Sequence, residues 1–166
     1  MPLSEAPGDF QLRGKLGVLE GRESFSARFL WFQQGPEFTI DLWGPLGQGR
    51  VRLTGDAQRL AVLDGDGAIL TEGPHAEVML AQLGWTLPLA VLPNWVLGEP
   101  GDDALIEQSR YDDDGRLLGF EQLDWAVVFS QHREIVGSKG ARWVPRKITA
   151  RKGNYQVRLV ISEWQI

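Results

Sequence analysis

The chain has 166 residues, a formal net charge of −5, two His and no Cys. That length fits one domain, 1–166, with a core large enough to hold without disulfides. The negative balance argues against nucleic acid as a partner, while the absence of Cys leaves the compartment open. Twenty Gly and nine Pro suit many tight turns, and seven Trp and seven Phe against two Tyr favour large apolar rings over amphipathic ones. Met1-Pro2-Leu3-Ser4 has neither a positive n-region nor an apolar h-region, so no signal peptide is expected.

The spacing predicts a first strand over 10–19 and a turn at 21–23. Positions 24–33 alternate, with Phe25, Ala27, Phe29 and Trp31 against Ser24, Ser26 and Arg28. Leu30 and Phe32 make the far end of that strand apolar on both faces. After Gly35-Pro36, Phe38, Ile40 and Leu42 alternate with Glu37, Thr39 and Asp41. A turn at Gly44-Pro45-Leu46-Gly47 leads into a strand with Val51 and Leu53 inward and Arg50, Arg52 and Thr54 outward. Strands over 59–63 and 68–72, separated by turn residues, complete a six-strand meander.

The next segment changes character. Positions 78–98 carry no charge, but Gly84, Pro88 and Pro93 interrupt them too often for a straight membrane-spanning helix. Two short apolar helices fit better. Pro74 suits the first turn of one, with Ala76, Met79, Leu80 and Leu83 as its stripe and Gly84 as its end. Pro88 opens the other, with Leu89, Leu92 and Val96 on one side and Val91 and Trp95 on another. Pro93 predicts a kink or a 3₁₀ start, and Gly98-Glu99-Pro100-Gly101 closes the segment.

Strands resume over 105–111, 117–120, 123–130, 143–150 and 155–164, with Leu123, Trp125, Val127, Phe129, Val157, Leu159 and Ile161 inward. The fold class is therefore mainly β: an incomplete, half-open antiparallel barrel of about eleven strands with a two-helix lid inserted after the sixth, because a sheet this wide must curl. The helices would cover the concave face, over either a solid core or a lidded cavity.

Catalytic chemistry is hard to find. His75 and His132 lie far apart without a ligand pattern, so structural roles are expected and no metal or cofactor is implied. The acidic runs at 64–67 and 112–115 lack the alternating ligands and closing Glu of a calcium loop, and turn chemistry accounts for them. No nucleophile elbow, phosphate loop or dinucleotide fingerprint is present, so an enzyme is not expected. Between Glu134 and Glu163 the chain has no acid but carries Lys139, Arg142, Arg146, Lys147, Arg151, Lys152 and Arg158. These are either solvated strand faces and loops or a basic face for an anionic partner or lipid headgroups. At the Gly44–Gly47 turn, Leu46 is a bulky apolar tip just after Trp43. It either folds back onto the sheet or stands out as a prong for a membrane or a partner's groove.

Several segments together resemble the LolB family of outer-membrane lipoprotein receptors. They are Ala27-Arg28-Phe29-Leu30-Trp31, the Gly44-Pro45-Leu46-Gly47 turn, and Gly84-Trp85, Leu87-Pro88, Leu92 and Trp95-Val96-Leu97-Gly98 with Pro100. Gly115-Arg116-Leu117, Trp125, Pro145-Arg146-Lys147-Ile148 and Trp164 complete the set. The spacing Gly-Trp-x-Leu-Pro-x₃-Leu-x₂-Trp is the most specific part. The resemblance implies a LolA/LolB-like fold and a hydrophobic cavity for lipoprotein acyl chains. On this chain that cavity maps to Phe25, Phe29, Trp31, Phe38, Ile40 and Leu42 from the first strands. Met79, Leu83, Leu92, Trp95 and Val96 would come from the helices, and Trp125, Val127 and Phe129 from the later strands. Trp43, Pro45, Leu46 and Gly47 would form the loop that hands cargo to the membrane.

The implied partners are acylated lipoprotein cargo, a periplasmic LolA-like carrier and the inner leaflet of the outer membrane, with the protein a monomer on the periplasmic face. Family members carry an acylated N-terminal Cys, which this chain lacks, and a helix before the first strand, where Asp9-Phe10 here already reads as strand. The alternative function is a soluble periplasmic carrier of a lipid or other apolar ligand with no delivery step.

Overall fold

The computed structural model describes residues 9–44, 49–83, 86–101, 105–137 and 140–165, with the backbone alone for Glu23, Gln82 and Leu83. Strands β1 (Phe10–Glu20), β2 (Glu23–Gln34), β3 (Glu37–Trp43), β4 (Val51–Gly55), β5 (Arg59–Leu63) and β6 (Ile69–Pro74) come first. Helices α1 (His75–Leu83) and α2 (Leu92–Trp95) follow. Strands β7 (Glu107–Tyr111), β8 (Leu117–Gln122), β9 (Trp125–Gly137), β10 (Gly140–Lys152) and β11 (Tyr155–Gln165) complete the chain.

All strands lie in one antiparallel sheet of order β6-β5-β4-β3-β2-β1-β11-β10-β9-β8-β7. Pairing of β1 with β11, as in Leu16 opposite Leu159 and Val18 opposite Val157, joins the two meanders at the centre. It leaves β6 and β7 as the two edges, and these are the strands that flank the helical insert. The insert therefore leaves one edge of an unclosed sheet and returns to the other.

Alternation sets which side is buried. Leu12, Leu16 and Val18 on β1, Ala27, Phe29 and Trp31 on β2, and Phe38, Ile40 and Leu42 on β3 share a face. They form one core with Leu53, Leu60, Val62, Phe120, Trp125, Val127, Phe129, Ile148, Val157, Leu159 and Ile161. Gly14 lies directly under Phe29. A Cβ there would run into the Val160 carbonyl and meet the Phe29 ring at 3.0 Å, so only glycine allows this close approach of β1, β2 and β11.

Several expectations are corrected. Leu123 is not inward: Leu123 and Asp124, both at positive φ, form a two-residue turn between paired Gln122 and Trp125. Such tight hairpins need φ > 0 at both central positions, which carries the Leu123 side chain out to solvent. Strand β8 accordingly runs on to Gln122. Leu105 lies before β7 and is almost fully exposed. Phe25 shares the phase of Phe29 but is 40% exposed, because it sits near the hairpin end of β2.

The first helix begins one residue later than expected, since Pro74 still pairs with Arg59 as part of β6. His75 then meets the Asp56 carbonyl with Nε2 at 2.7 Å and the Phe38 ring at 6.2 Å. That anchoring sets the helix phase: Val78 and Met79 are buried, whereas Ala76 and Leu80 are exposed. Pro45, Leu46, Gly47, Gly84 and the Leu83 side chain lie outside the described residues.

Candidate functional site: the covered concave face

Residues 86–101 enter the concave side as a plug rather than a surface lid. Leu87, Leu89, Val91, Leu92, Trp95, Val96 and Leu97 are all buried, as are Pro93 and Asn94. The expected second helix is a single turn, α2, preceded by tight turns in which Val91 and Leu92 both donate to the Pro88 carbonyl. Pro93 sits at the start of that turn, where its missing N–H costs nothing. Both sides of the segment, Leu89, Leu92 and Val96 as well as Val91 and Trp95, meet protein.

Aromatic rings fill one half of the concavity. Trp95 packs edge-on against Trp125 at 6.4 Å and Phe120 at 6.0 Å, and Phe120 meets Phe129 at 5.5 Å. In the other half, Leu16, Phe29, Trp31, Ile40, Leu42, Leu53, Leu87, Leu92 and Leu159 surround an apolar void of about 20 Å³. That is room for roughly one water, far below the ~300 Å³ at which ligand pockets begin. Among the described residues, this part of the contact between sheet and plug is close-packed by apolar side chains.

Among the described residues, a few polar ties hold the plug. Gln122, 2% exposed, accepts from Trp95 Nε1 at 2.9 Å and from the Gly101 backbone N–H at 2.8 Å, and donates Nε2 to the Gly101 carbonyl at 2.6 Å. At the rim, Arg142 Nη2 reaches the Leu97 carbonyl at 3.3 Å and Glu99 at 3.4 Å. The Leu87 N–H points at Met79 Sδ, 3.5 Å away, which ties α1 to the plug.

The outer face carries the charge. Asp41, buried there on β3, accepts from Arg52 at 2.7 and 3.1 Å and from Arg50 at 3.5 Å. The hydrogen bond from Arg52 holds its carboxyl below the usual carboxylate range. Burial pushes the His132 imidazole below its ordinary value, with the nearby Arg116 acting in the same direction. The two acidic runs close turns: Asp64 Oδ1 accepts from Asp66 and Ala68 N–H, and Asp112 Oδ1 from Asp114 and Arg116 N–H.

Of the residues expected around a cavity, Phe29, Trp31, Ile40, Leu42 and Leu92 come together around the void. Phe38, Met79, Trp95, Val96, Trp125, Val127 and Phe129 are buried in the same core. Phe25 is 40% exposed, and Trp43 follows the outward phase of Asp41 on β3. Sequence reasoning missed Gln122, Phe120 and Leu87. The signal for Gln122 was its position two residues after Phe120, a polar side chain on a buried phase.

The family model described as outer membrane lipoprotein LolB matches residues 8–164. Outer-membrane lipoprotein LolB of Stutzerimonas stutzeri is 39% identical over 158 residues, 94% of this chain and 73% of that protein. The protein of the same name from Halorhodospira halophila is 31% identical over 156 residues, 94% of this chain and 75% of the relative. Among solved structures, a LolA superfamily protein from Nitrosomonas europaea aligns with a TM-score of 0.61 at 10% identity, covering 96% of this chain and 86% of its own. A putative outer membrane lipoprotein-sorting protein domain from Vibrio parahaemolyticus aligns at 0.57 and 8% identity, with the same coverage. These two likenesses speak for the fold, an unclosed sheet wrapped around an insert, while the sequence matches speak for ancestry: the chain belongs to the LolB family of outer membrane lipoproteins.

Proposed function

We propose that this protein accepts acylated lipoproteins from a periplasmic LolA-like carrier, shelters their acyl chains between sheet and plug, and releases them into the outer membrane. Its family works in lipoprotein localisation at the outer membrane, on the periplasmic side. The observation that carries the reading is the largely apolar contact between residues 86–101 and the concave face, latched among the described residues by a few hydrogen bonds. That void of about 20 Å³ is too small for an acyl chain, which supports uptake by outward movement of the plug. Short turns with two prolines and sparse polar ties are the low-stability elements from which moving parts are drawn.

The exchange would trade one apolar cover for another. Burying a methylene is worth about 0.8 kcal/mol, so a sixteen-carbon chain carries on the order of 10 kcal/mol. The plug's own leucines and rings must be covered again when it moves, and the carrier's docking surface or the cargo itself can do this. Transfer then needs no ATP: chains pass along a continuous apolar route from carrier to cavity to bilayer, each site holding them more tightly. Leu46, between β3 and β4, is the prong that engages the bilayer on this reading.

Titration with a triacylated lipopeptide, followed by tryptophan fluorescence, tests the proposal. Trp31, Trp95 and Trp125 surround the contested space, so saturable binding must change their emission. No change at any lipopeptide concentration below its micelle threshold overturns the reading. Uptake without delivery to vesicles would point instead to a soluble carrier.

A further inference from the structure

We infer that the convex face of the central strands is a docking surface for anionic phospholipid headgroups. This rests on the delivery role just proposed, and it adds how the receptor is held against the bilayer. Strand register brings together cations that are far apart in sequence. Lys147 lies opposite Val160, Val160 opposite Lys15, Lys15 opposite Arg28, and Arg28 opposite Trp43, so one row runs from β10 to β3. The next row holds Thr149, Arg158, Gly17 and Ser26, and the one after it Arg151, Gln156, Leu19 and Ser24. Across β10, β11, β1 and β2, these three rows contain Lys15, Arg28, Lys147, Arg151 and Arg158 and no carboxylate.

The nearest outward acids are already engaged or remote. Asp41 is clamped by Arg50 and Arg52, Glu163 pairs with Arg13 at 3.7 Å, and Glu121 sits beyond Ala126 on β8. Lys15 and Arg28, directly opposite one another, form a like-charge pair that destabilises the sheet. A chain with net charge −5 has acids to spare, yet places none here. The cations are interleaved with outward apolar groups: Leu19 and Val128 are exposed, Val160 is half-buried, and Trp43 ends the first row. Long basic side chains over scattered apolar ones, with an indole at the margin, match the headgroup boundary of a bilayer. An acidic protein partner would need matched individual carboxylates, but a charged lipid surface needs only the field.

The test is flotation of the cargo-free chain with vesicles of phosphatidylcholine alone or with added phosphatidylglycerol. Binding is expected only with the anionic lipid and is lost at high salt, since exposed charges are screened over about 10 Å at 0.1 M. The double variant K15Q/R28Q should bind anionic vesicles about ten-fold or more weakly. The control R22Q/R59Q removes the same charge from exposed positions elsewhere and should change affinity less than about two-fold. Circular dichroism checks that both variants fold. Equal loss in both variants, or equal binding to neutral and anionic vesicles, overturns the inference. So does loss of transfer from the carrier in K15Q/R28Q with vesicle binding unchanged, which would assign the face to an acidic protein. Lipopeptide binding without vesicles reports on the acyl-chain reading separately, so the two proposals can fail independently.

Discussion

Trp95 Nε1 donates to Gln122 Oε1 across 2.9 Å in the middle of a largely apolar contact. The same amide holds both backbone groups of Gly101, so one side chain on β8 fastens the helical turn of the plug and the strand-bound end of it. Buried polar groups left unpaired cost about 1–3 kcal/mol each, which makes this latch worth more than its size suggests.

Replacing it should therefore loosen the plug selectively. Gln122→Leu is expected to lower stability by about 2–3 kcal/mol, because Trp95 and Gly101 lose their partners inside the core. Hydrogen exchange should rise across residues 86–101 more than in β1, β2 and β11, and lipopeptide should bind faster. Uniform loss of protection throughout the sheet would argue against a latch.

Gly101 offers a steric version of the same experiment. A Cβ there would run into the Val91 side chain, so Gly101→Ala must displace the plug from within. Overpacking of this kind costs about 1–3 kcal/mol. Urea denaturation should show the loss, and emission from Trp95 should shift toward the red as water reaches it.

The prong has its own signature. Leu46→Glu should leave lipopeptide uptake unchanged and slow delivery of bound lipoprotein to liposomes, as read in a transfer assay. Equal delivery by the parent and the variant removes Leu46 from the mechanism.

Acid should weaken the protein in two steps. The folded state keeps His132 below its ordinary value, so its contribution is complete above about pH 6.5 and is lost as pH falls through the lower folded value. Asp41 is held below the carboxylate range, so its contribution is complete above about pH 3.9 and disappears on further acidification through its folded value. The urea midpoint measured from pH 8 to pH 3 should fall first below about 6.5, a loss that His132→Gln abolishes. The second loss, below about 4, should be smaller in Asp41→Asn, which itself costs about 1–2 kcal/mol at pH 7.

Much of the strand layout is readable from the chain because alternation is a local signal. Phe29 and Trp31 against Arg28, or Phe38, Ile40 and Leu42 against Thr39 and Asp41, assign their faces without any neighbour. The errors fall where a distant contact overrides local pattern. Leu123 looks like the start of a strand until Gln122 pairs with Trp125 around it. Leu80 looks like part of a buried stripe until His75 is anchored to Asp56 and the helix is rotated. Gln122 looks like any polar strand residue until Trp95 arrives from elsewhere in the chain.

Composition, periodicity and turn chemistry by themselves settled that this is a wide antiparallel sheet interrupted once by an uncharged, proline-broken segment. Separate residue motifs, above all Gly84-Trp85 and Leu87-Pro88 with Leu92 and Trp95, carried the likeness to its family. How that segment lies against the sheet was decided only in three dimensions, because it depends on the pairing of β1 with β11, which makes β6 and β7 the edges and sends the insert across the concave face. The same pairing gathers Lys15, Arg28, Lys147 and Arg158 into one field. Side-chain phase is dictated by the nearest two residues along the chain, whereas cavity volume and charge clustering are dictated by neighbours that only folding brings within reach.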